Sequence, residues 1–273
     1  MRTQQEKGKS FRELHERKTA FIIPNPWDEG SAVLLARLGF EALATTSAGC
    51  AFSLGKRDNA IGREEAIKHL KTIASATDLP VSGDLENGFG NDPASCAETI
   101  RLAAASGACG ASIEDATYRA SAPIYDPSLA VDRIQAAALM SRSLPFDFSL
   151  TARCENYLTG RPDLGETIKR LQAYQEAGAD VLYAPGIVKK DEIATLVKSL
   201  DRPVNVLAAL QGFPTSLAEL SELGVRRISV GSALSRAALG AFLRAAEEMK
   251  DKGTFNFAGE AVSYGDLNAM FPA

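Results

Sequence analysis

The chain contains few of the residues on which many enzymes and secreted proteins depend. Histidine occurs only twice, as His15 and His69, tryptophan occurs once, and the four cysteines are scattered without a CxxC pair. Both histidines fall in helical patterns, where we expect them to be solvated. Histidine base catalysis and a histidine zinc site are therefore disfavoured, because candidates are too few. The scattered cysteines indicate a reduced, cytoplasmic protein.

Blocks of one charge and long apolar runs are also missing. The net charge is −4 and the 30 basic residues form no cluster, so neither nucleic acid nor an anionic membrane is expected as a partner. The apolar runs are far shorter than the roughly 20 residues of a membrane span. The first residues, MRTQQEKGK, lack the apolar centre of a signal peptide. The composition, 45% apolar and 23% charged, is that of a soluble globular protein.

The sequence does contain a regular alternation of short β-branched runs and longer helical patterns. The predicted strands are residues 20–24, 42–47, 80–85, 110–114, 147–153, 180–184, 203–207 and 227–231. The predicted helices are residues 28–38, 63–76, 93–105, 128–141, 165–177, 190–200, 216–223 and 233–252. Strands that alternate with helices predict a parallel sheet, and eight units in roughly 250 residues predict an α/β fold of the (β/α)8 TIM barrel type.

One domain accounts for residues 1–273, since no linker or low-complexity segment interrupts the alternation. Four glycines, Gly39, Gly107, Gly178 and Gly224, each follow a helical pattern and precede a strand, as glycines that end helices do. From about residue 253 a helical tail is expected. Its apolar residues are many for a segment left in water, so it should pack on the barrel or on a neighbouring subunit.

Two predicted strands end in pairs of acidic residues. Asp84 and Glu86 end the third strand and are followed by a glycine turn, and Glu114 and Asp115 end the fourth. Alternate residues of a strand point to the same face, so Asp84 and Glu86 can approach one ion together. Mg²⁺ prefers oxygen ligands and needs only one or two carboxylates, and Mn²⁺ accepts the same octahedral geometry. The pattern therefore predicts a Mg²⁺ site, with Mn²⁺ as a substitute.

Further polar residues follow the other strands, where a barrel of this type has its active site. The polar ones are Ser47, Asp58, Arg153 and Asn205, and Ala48 and Gly49 stand beside Ser47. An arginine beside a metal ion suits a small anionic substrate, because the guanidinium pairs bidentately with a carboxylate and the metal polarises a carbonyl or enolate oxygen. The alternatives are solvated carboxylates at residues 84 and 86, and structural ion pairs at Glu114, Asp115 and Arg153.

In their order along the chain, the strand ends resemble the isocitrate lyase / phosphoenolpyruvate mutase superfamily. The resemblance covers roughly residues 20–240 and depends on the motifs PNPWDEGSA, TTSAG, GDLENGFGN, SIED, TARCENYLTG, RLQAYQEAGADVLYAPG and PVNVL. It implies a (β/α)8 barrel that binds Mg²⁺ and a 2-oxo acid. It also implies a homodimer or homotetramer in which the last helix of the barrel is exchanged between subunits.

The resemblance implies a role for each matching residue. Asp84 falls at the main metal-binding aspartate, Glu86 replaces the second aspartate of a D-x-D motif, and Glu114 aligns with the acid that holds a metal-bound water. Ser47 and Ala48 match a Ser-Gly pair that holds the oxyanion and carboxylate of the substrate, with Ala48 in place of glycine.

The remaining residues complete the predicted site. Arg153 matches the substrate-binding arginine, and Asp58 falls near an acid that lines the site. We predict catalytic roles for Asp58, Glu114, Arg153 and Tyr118, and substrate binding by Ser47, Ala48, Gly49, Arg153 and Asn205. We predict metal binding by Asp84, Glu86 and Glu114.

The loop after Glu114 departs from the superfamily. Members that cleave isocitrate or 2-methylisocitrate carry a Lys-Arg-Cys-Gly-His segment whose cysteine donates a proton, but residues 116–125 read ATYRASAPIY. Cys109 and Cys154 do not replace that cysteine by position, so these two activities are disfavoured. Phosphonopyruvate enzymes use a lysine in this loop, which is also missing. Tyr118, Arg119 and Tyr125 remain as candidates to supply the proton or to close the site against water.

Three hypotheses follow. The first is a Mg²⁺-dependent lyase or decarboxylase that cleaves a C–C bond of a small 2-oxo or 2-hydroxy (di)carboxylate through a metal-stabilised enolate. The second is a phosphonopyruvate-type mutase or hydrolase acting on a P–C bond. The third is a non-catalytic metabolite-binding barrel, which the acids gathered at one mouth argue against.

Overall fold

Eight parallel strands form one sheet in the computed structural model, which describes residues 2–211, 213 and 216–271. The strand order is β1-β8-β7-β6-β5-β4-β3-β2. The strands are β1 Phe21–Ile23, β2 Leu43–Ala44, β3 Val81–Asp84, β4 Gly110–Glu114, β5 Ser149–Arg153, β6 Val181–Tyr183, β7 Val204–Leu207 and β8 Arg227–Ser229. The predicted TIM barrel is confirmed, because consecutive strands alternate with helices around a nearly closed ring.

All eight predicted helices are present, with ends that differ by no more than two residues. The helices are α1 Gln4–Glu16, α2 Glu29–Arg37, α3 Ser47–Ser53, α4 Arg63–Ala76, α5 Pro93–Ala105, α6 Pro127–Arg142, α7 Leu164–Glu176, α8 Lys190–Lys198, α9 Leu217–Glu222, α10 Ala233–Lys252 and α11 Tyr264–Ala269. The four glycines expected to end helices have φ between 87° and 104°, the left-handed conformation that glycine adopts readily.

The end of the second strand was predicted wrongly. Ser47 does not belong to a strand extending over residues 42–47 but is the first residue of α3. The hydroxyl of Thr46 accepts a hydrogen bond from the Gly49 N–H at 3.2 Å and caps the helix. Threonine has a high strand propensity and is also a good N-cap residue, so its presence alone does not decide between the two.

Short contacts close the seam between β1 and β2. The Ala44 N–H donates to the Pro24 carbonyl at 3.1 Å. The side-chain amide of Asn25 donates to the Thr45 carbonyl at 3.0 Å, and its oxygen accepts from the backbone of Val230 and Gly231, both at 2.9 Å. One buried asparagine therefore joins the carboxyl ends of β2 and β8 across the seam.

Helix α1 covers the amino-terminal end of the barrel. Phe11 and Leu14 are buried against Phe21 of β1. His15 is buried as well, with Nδ1 2.8 Å from the Phe11 carbonyl oxygen. His69 is half-buried, with Nε2 2.9 Å from the carbonyl oxygen of Trp27. The expectation that both histidines are solvated was wrong, because helices that carry charges on one face pack the other face on the barrel.

The carboxyl-terminal region leaves the barrel. Of the 20 residues of α10, only Ser235 is buried. Phe242 and Leu243 are 65% and 55% exposed, and the tail that follows ends in α11, where Tyr264 is 87% exposed. Across the described residues, no helix is long and apolar enough to cross a membrane.

Candidate active site

Arg153, at the end of β5, lies at the centre of the acidic strand ends. Its guanidinium contacts Asp84 at 2.8 Å, Glu155 at 2.9 Å and Glu114 at 3.1 Å. The Tyr183 ring of β6 lies beneath it, 5.1 Å from the guanidinium carbon to the ring centroid. The β4–β5 register pairs Glu114 with Arg153, and the β5–β6 register pairs Arg153 with Tyr183. The barrel therefore brings these side chains together through its hydrogen-bond register.

Asp84 connects this cluster to the start of α3. One carboxylate oxygen accepts from the backbone N–H and the hydroxyl of Ser47, at 3.0 and 2.9 Å. The other oxygen accepts from Arg153. Ser47 and Ala48 line the central cavity of the barrel, whereas the Gly49 N–H is used in the helix cap. Two of the three residues predicted after strand 2 therefore face the site.

Glu86 is buried beside Asp84 without a partner for one of its oxygens. It is 4% exposed, and Oε1 accepts no hydrogen bond from any residue of the described chain. Its backbone lies at φ 48°, an uncommon value for a residue other than glycine. Burial first, and the neighbouring carboxylates of Asp84 and Asp58 next, raise the pKa of Glu86 to about 8. This carboxyl group therefore either holds a proton or needs a cation.

Glu114 joins the arginine to the loop that follows β4. Its Oε2 pairs with Arg153, and its Oε1 accepts a hydrogen bond from the hydroxyl of Tyr118 at 2.6 Å. Burial raises the pKa of Glu114. Tyr118 has a left-handed backbone, with φ 59°, and its side chain lines the mouth of the barrel. Burial and the charge of Glu114 raise the pKa of Tyr118, so its phenol stays protonated.

The structure separates the two candidate tyrosines. Tyr125 is 2% exposed, and its hydroxyl donates to Asn91 at 2.8 Å. Its ring stacks under the Arg133 guanidinium at 4.1 Å. Tyr125 therefore anchors the base of the loop, where its backbone N–H donates to the Asp115 carbonyl, and only Tyr118 reaches the acids.

Asp115 turns away from the mouth. Its carboxylate accepts from the Tyr174 hydroxyl at 2.6 Å, from Arg170 at 3.2 Å and from the Glu155 backbone N–H at 2.8 Å. These donors form the structural ion pair that was one of the alternatives for this residue. Asp115 thus fixes the start of the loop that carries Glu155.

The other predicted residues lie at the rim and in the depth of the site. Asp58 is at the exposed rim and lines both cavities, and partial burial together with Asp84 raises its pKa. Asn205 is 1% exposed inside the barrel, where its amide donates to Ser229 at 3.0 Å and accepts from Arg227 at 2.9 Å. Its amide is therefore engaged within the protein.

Two connected spaces surround these residues. A mouth cavity of about 580 Å³ lies between the loop after β4 and the loop after β5, and a central cavity of about 160 Å³ continues into the barrel. Arg153, Ser47 and Asp58 line both. A site of this size accepts a small molecule.

The donor set fits a hard divalent cation. Five acids lie in the neighbourhood of Arg153: Asp84, Glu114 and Glu155 contact it, and Asp58 and Glu86 lie beyond. Yet among the described residues no three His, Cys, Asp or Glu side chains already surround one point as metal ligands. The acids outnumber the arginine, and Glu86 Oε1 is buried without a hydrogen-bond partner. This arrangement suits Mg²⁺, which binds one or two carboxylates and completes its coordination with water.

No role was predicted from the sequence for Glu155, Tyr183, Ser229 or Arg227, although the first three stand at strand ends. Glu155 lies two positions after Arg153, and this spacing on one face of an extended segment was the available signal. The other three lie on strands and show no motif of their own. Only the closed barrel brings them next to the predicted residues.

The model of the family described as phosphoenolpyruvate phosphomutase matches residues 11–250 of this chain. An uncharacterised protein of Mycobacterium tuberculosis is 34% identical over 89% of each chain. The 2,3-dimethylmalate lyase of Eubacterium barkeri is 30% identical over 78% of this chain and 76% of its own length. The oxaloacetate decarboxylase of Pseudomonas syringae is 29% identical, with coverage of 86% and 82%.

Solved structures show the same fold. A Burkholderia cenocepacia protein described as a lyase or mutase has a TM-score of 0.97 at 60% identity, with coverage of 99% and 97%. Oxaloacetate acetylhydrolase in complex with its product oxalate has a TM-score of 0.86 at 25% identity, with coverage of 98% and 93%.

Proposed function

We propose, from the premise that this chain belongs to the phosphoenolpyruvate phosphomutase family, that it is a Mg²⁺-dependent enzyme that cleaves a C–C bond. The substrate class is a small 2-oxo or 2-hydroxy dicarboxylate. The observation that carries the proposal is the Tyr118 hydroxyl 2.6 Å from Glu114, beside the arginine at the centre of the acids. It supplies a proton donor in a loop that has neither cysteine, histidine nor lysine.

Asp84, Glu86 and Glu114 are the residues that would hold Mg²⁺, partly through water, and Mn²⁺ has the ligand preference to replace it. When bound, Mg²⁺ would supply Lewis-acid polarisation of the oxygens of a 2-oxo acid. The unpartnered oxygen of Glu86 and the raised pKa of that residue support this assignment.

Arg153 orients the substrate. Its guanidinium already contacts three carboxylates, and a substrate carboxylate of the same geometry can exchange with one of them through bidentate hydrogen bonds. The N–H and hydroxyl of Ser47, which now donate to Asp84, are positioned to donate to a substrate oxygen. Ala48 forms the wall beside them, and Asp58 at the rim restricts entry.

Tyr118 completes the reaction. When the C–C bond breaks, the electron pair stays on the carbon next to the retained carbonyl or carboxylate group, and that carbon takes the proton of the Tyr118 hydroxyl. The phenol regains a proton from the hydroxyl group that a 2-hydroxy substrate converts to a carbonyl group, or from water when a 2-oxo acid loses CO2. Glu114, at hydrogen-bond distance, holds the phenol in place and shares the proton that replaces it. General acids of this kind contribute about 10²–10⁴-fold to rate.

A turnover screen of the purified protein tests the proposal. The substrates are oxaloacetate, 2,3-dimethylmalate and other substituted malates, isocitrate, 2-methylisocitrate and phosphonopyruvate, each with and without Mg²⁺, and Asp84→Ala is the blank. We expect Mg²⁺-dependent cleavage of a malate or oxaloacetate that the blank lacks. Release of phosphate from phosphonopyruvate would instead support cleavage of a P–C bond. The absence of turnover on every substrate would support a non-catalytic binding barrel.

We further propose that the protein is a homodimer or homotetramer in which α10 packs on a neighbouring subunit. The support is the exposure of this helix, since a chain that stays monomeric rarely leaves side chains such as Phe242 and Leu243 together in water. The test is given at the scale of the whole molecule below.

A further inference from the structure

A second arginine lies inside the barrel without an acidic partner. Arg227, the first residue of β8, is 5% exposed. Its Nε donates to Asn205 Oδ1 at 2.9 Å, one terminal nitrogen donates to Thr151 Oγ1 at 2.9 Å, and the other lies 3.4 Å from His15 Nε2. In the part of the chain that the structure describes, no carboxylate lies within ion-pair distance of this guanidinium.

All three contacts of Arg227 are neutral. Asn205 and Thr151 carry no charge, and burial first and Arg227 second lower the pKa of His15 to about 3, which keeps the imidazole uncharged. Burial without a counter-charge lowers the pKa of Arg227 itself to about 10. Buried charges in proteins are normally paired, because removing one from water is strongly unfavourable.

The acids of the active site do not compensate this charge. Thr151 and Arg153 alternate on one face of β5, so Arg227, which contacts Thr151, lies one layer, about 7 Å, below Arg153. The acids Asp84, Glu114 and Glu155 all contact Arg153. A substrate carboxylate that enters from the mouth meets this upper arginine first.

Space for a counter-ion is present next to Arg227. The central cavity of about 160 Å³ reaches down to this residue and is also lined by the buried serines Ser82, Ser112 and Ser229. Water has a share of roughly 30 Å³ in the liquid, so a chloride-sized ion fits together with water. A guanidinium has five N–H donors, and three are accounted for by Asn205, Thr151 and His15.

We propose that the floor of the barrel binds one small monovalent inorganic anion, of the size of chloride or bromide, against Arg227. The free N–H groups of the guanidinium and the serine hydroxyls of the cavity donate to it. The anion neutralises the buried charge of Arg227. It also holds in place the side chains around Arg227, which lie one layer below Tyr183 and Arg153.

Crystals grown in bromide test the site directly. Anomalous scattering should show one bromide within about 3.5 Å of the Arg227 guanidinium, because N–H donors approach a halide at slightly more than oxygen distances. A cavity that contains only water, with no anomalous peak, overturns the proposal. This result is independent of turnover, so it also separates the proposal from the proposed reaction.

Thermal unfolding gives a second readout in solution. At constant ionic strength, replacing gluconate by chloride or bromide should raise the Tm of the wild type by about 3–5 °C, since an ion that binds only the folded state stabilises it. Arg227→Met, which keeps the volume but removes the charge, should lose the halide dependence. Arg202→Met, at an exposed arginine near the same end of the barrel, should keep it.

The wild-type measurements decide the question even if Arg227→Met does not fold. A halide-independent Tm of the wild type contradicts the proposal. An equal halide effect in wild type and Arg227→Met also contradicts it, because the ion would then bind elsewhere.

Discussion

Tyr118 is the residue on which the proposed proton transfer depends, and a change of one atom tests it. Tyr118→Phe removes the hydroxyl that contacts Glu114 at 2.6 Å. We expect kcat to fall by about 10²–10³-fold with little change in KM, because the proton is needed only as the bond breaks. Steady-state kinetics on the substrate found in the screen measures this.

The matched control is Tyr125→Phe in the same loop. The Tyr125 hydroxyl donates to Asn91 and contacts none of the acids around Arg153. Removing this hydroxyl should leave kcat within about threefold and lower the stability of the fold slightly. Equal losses of kcat in both variants would mean that the loop as a whole, and not the Tyr118 proton, limits the reaction.

His15 makes the stability of the fold depend on pH. Its pKa in the folded protein is about 3, because burial and Arg227 disfavour the charged ring, whereas the unfolded value is near 6.5. The unfolded chain therefore binds the proton first as the pH falls. The stability that the neutral ring contributes is full above pH 6.5 and is lost progressively between 6.5 and 3.

His15→Gln, which does not titrate, isolates this contribution. The difference in the free energy of unfolding between wild type and variant should shrink by about 1.4 kcal/mol between pH 7.5 and 5.5. It should stay constant between pH 7.5 and 8.5. Urea unfolding at each pH provides the values, and a difference that does not change with pH would show that the ring is accessible to protons.

At the scale of single elements, α1 depends on a glycine for its contact with the barrel. A Cβ atom on Gly8 would lie 2.3 Å from the carbonyl oxygen of Asp147, which precedes β5. Gly8→Ala should therefore push α1 off the barrel and cost about 1–3 kcal/mol, although alanine has the higher helix propensity. Urea unfolding measures the cost.

Gly259→Ala, in the carboxyl-terminal tail, is the control for the Gly8→Ala substitution. No atom lies within 4 Å of the Cβ that it would add, so the free energy of unfolding should change by less than about 0.5 kcal/mol. If Gly8→Ala proved as stable as wild type, α1 would not be held closely against the barrel.

At the scale of the whole molecule, the proposed active site would be complete only when residues from several strands, the loop after β4 and a cation come together. Oxalate mimics the enolate that cleavage of a 2-oxo acid would leave. It should therefore raise the Tm by several degrees only when Mg²⁺ is also present. Asp84→Asn should remove the joint effect. A shift with oxalate alone would mean that Arg153 binds the anion without the metal.

Acidic substitutions on the exposed helix α10 test the proposed oligomer. In Phe242→Asp with Leu243→Asp, two apolar residues of α10 that are 65% and 55% exposed become acidic, and we expect the mass measured by light scattering to drop toward 29.0 kDa. The control, Leu139→Asp, alters a residue of α6 that is 68% exposed and should leave the mass unchanged. A wild-type protein that is already monomeric would refute the proposed exchange.

The sequence by itself determined the barrel, the approximate positions of its eight strand–helix units and the acidic strand ends, but not the helix α3 that begins at Ser47. These properties are local: strand and helix periods, helix-ending glycines and acids such as Asp84 and Glu114 can be recognised from neighbouring residues. Because the carboxyl ends of all strands in such a barrel meet at one face, the location of the candidate site followed as well.

Only the tertiary structure decided which side chains face each other. Asp115 and Tyr125 belong to the same strand end and loop as Glu114 and Tyr118, but the first pair is buried in contacts that hold the loop, whereas the second pair lines the mouth. Arg227 carries no motif, yet closure of the barrel buries its charge among neutral partners. Such contacts join residues up to 212 positions apart, and no local pattern encodes distances over such separations.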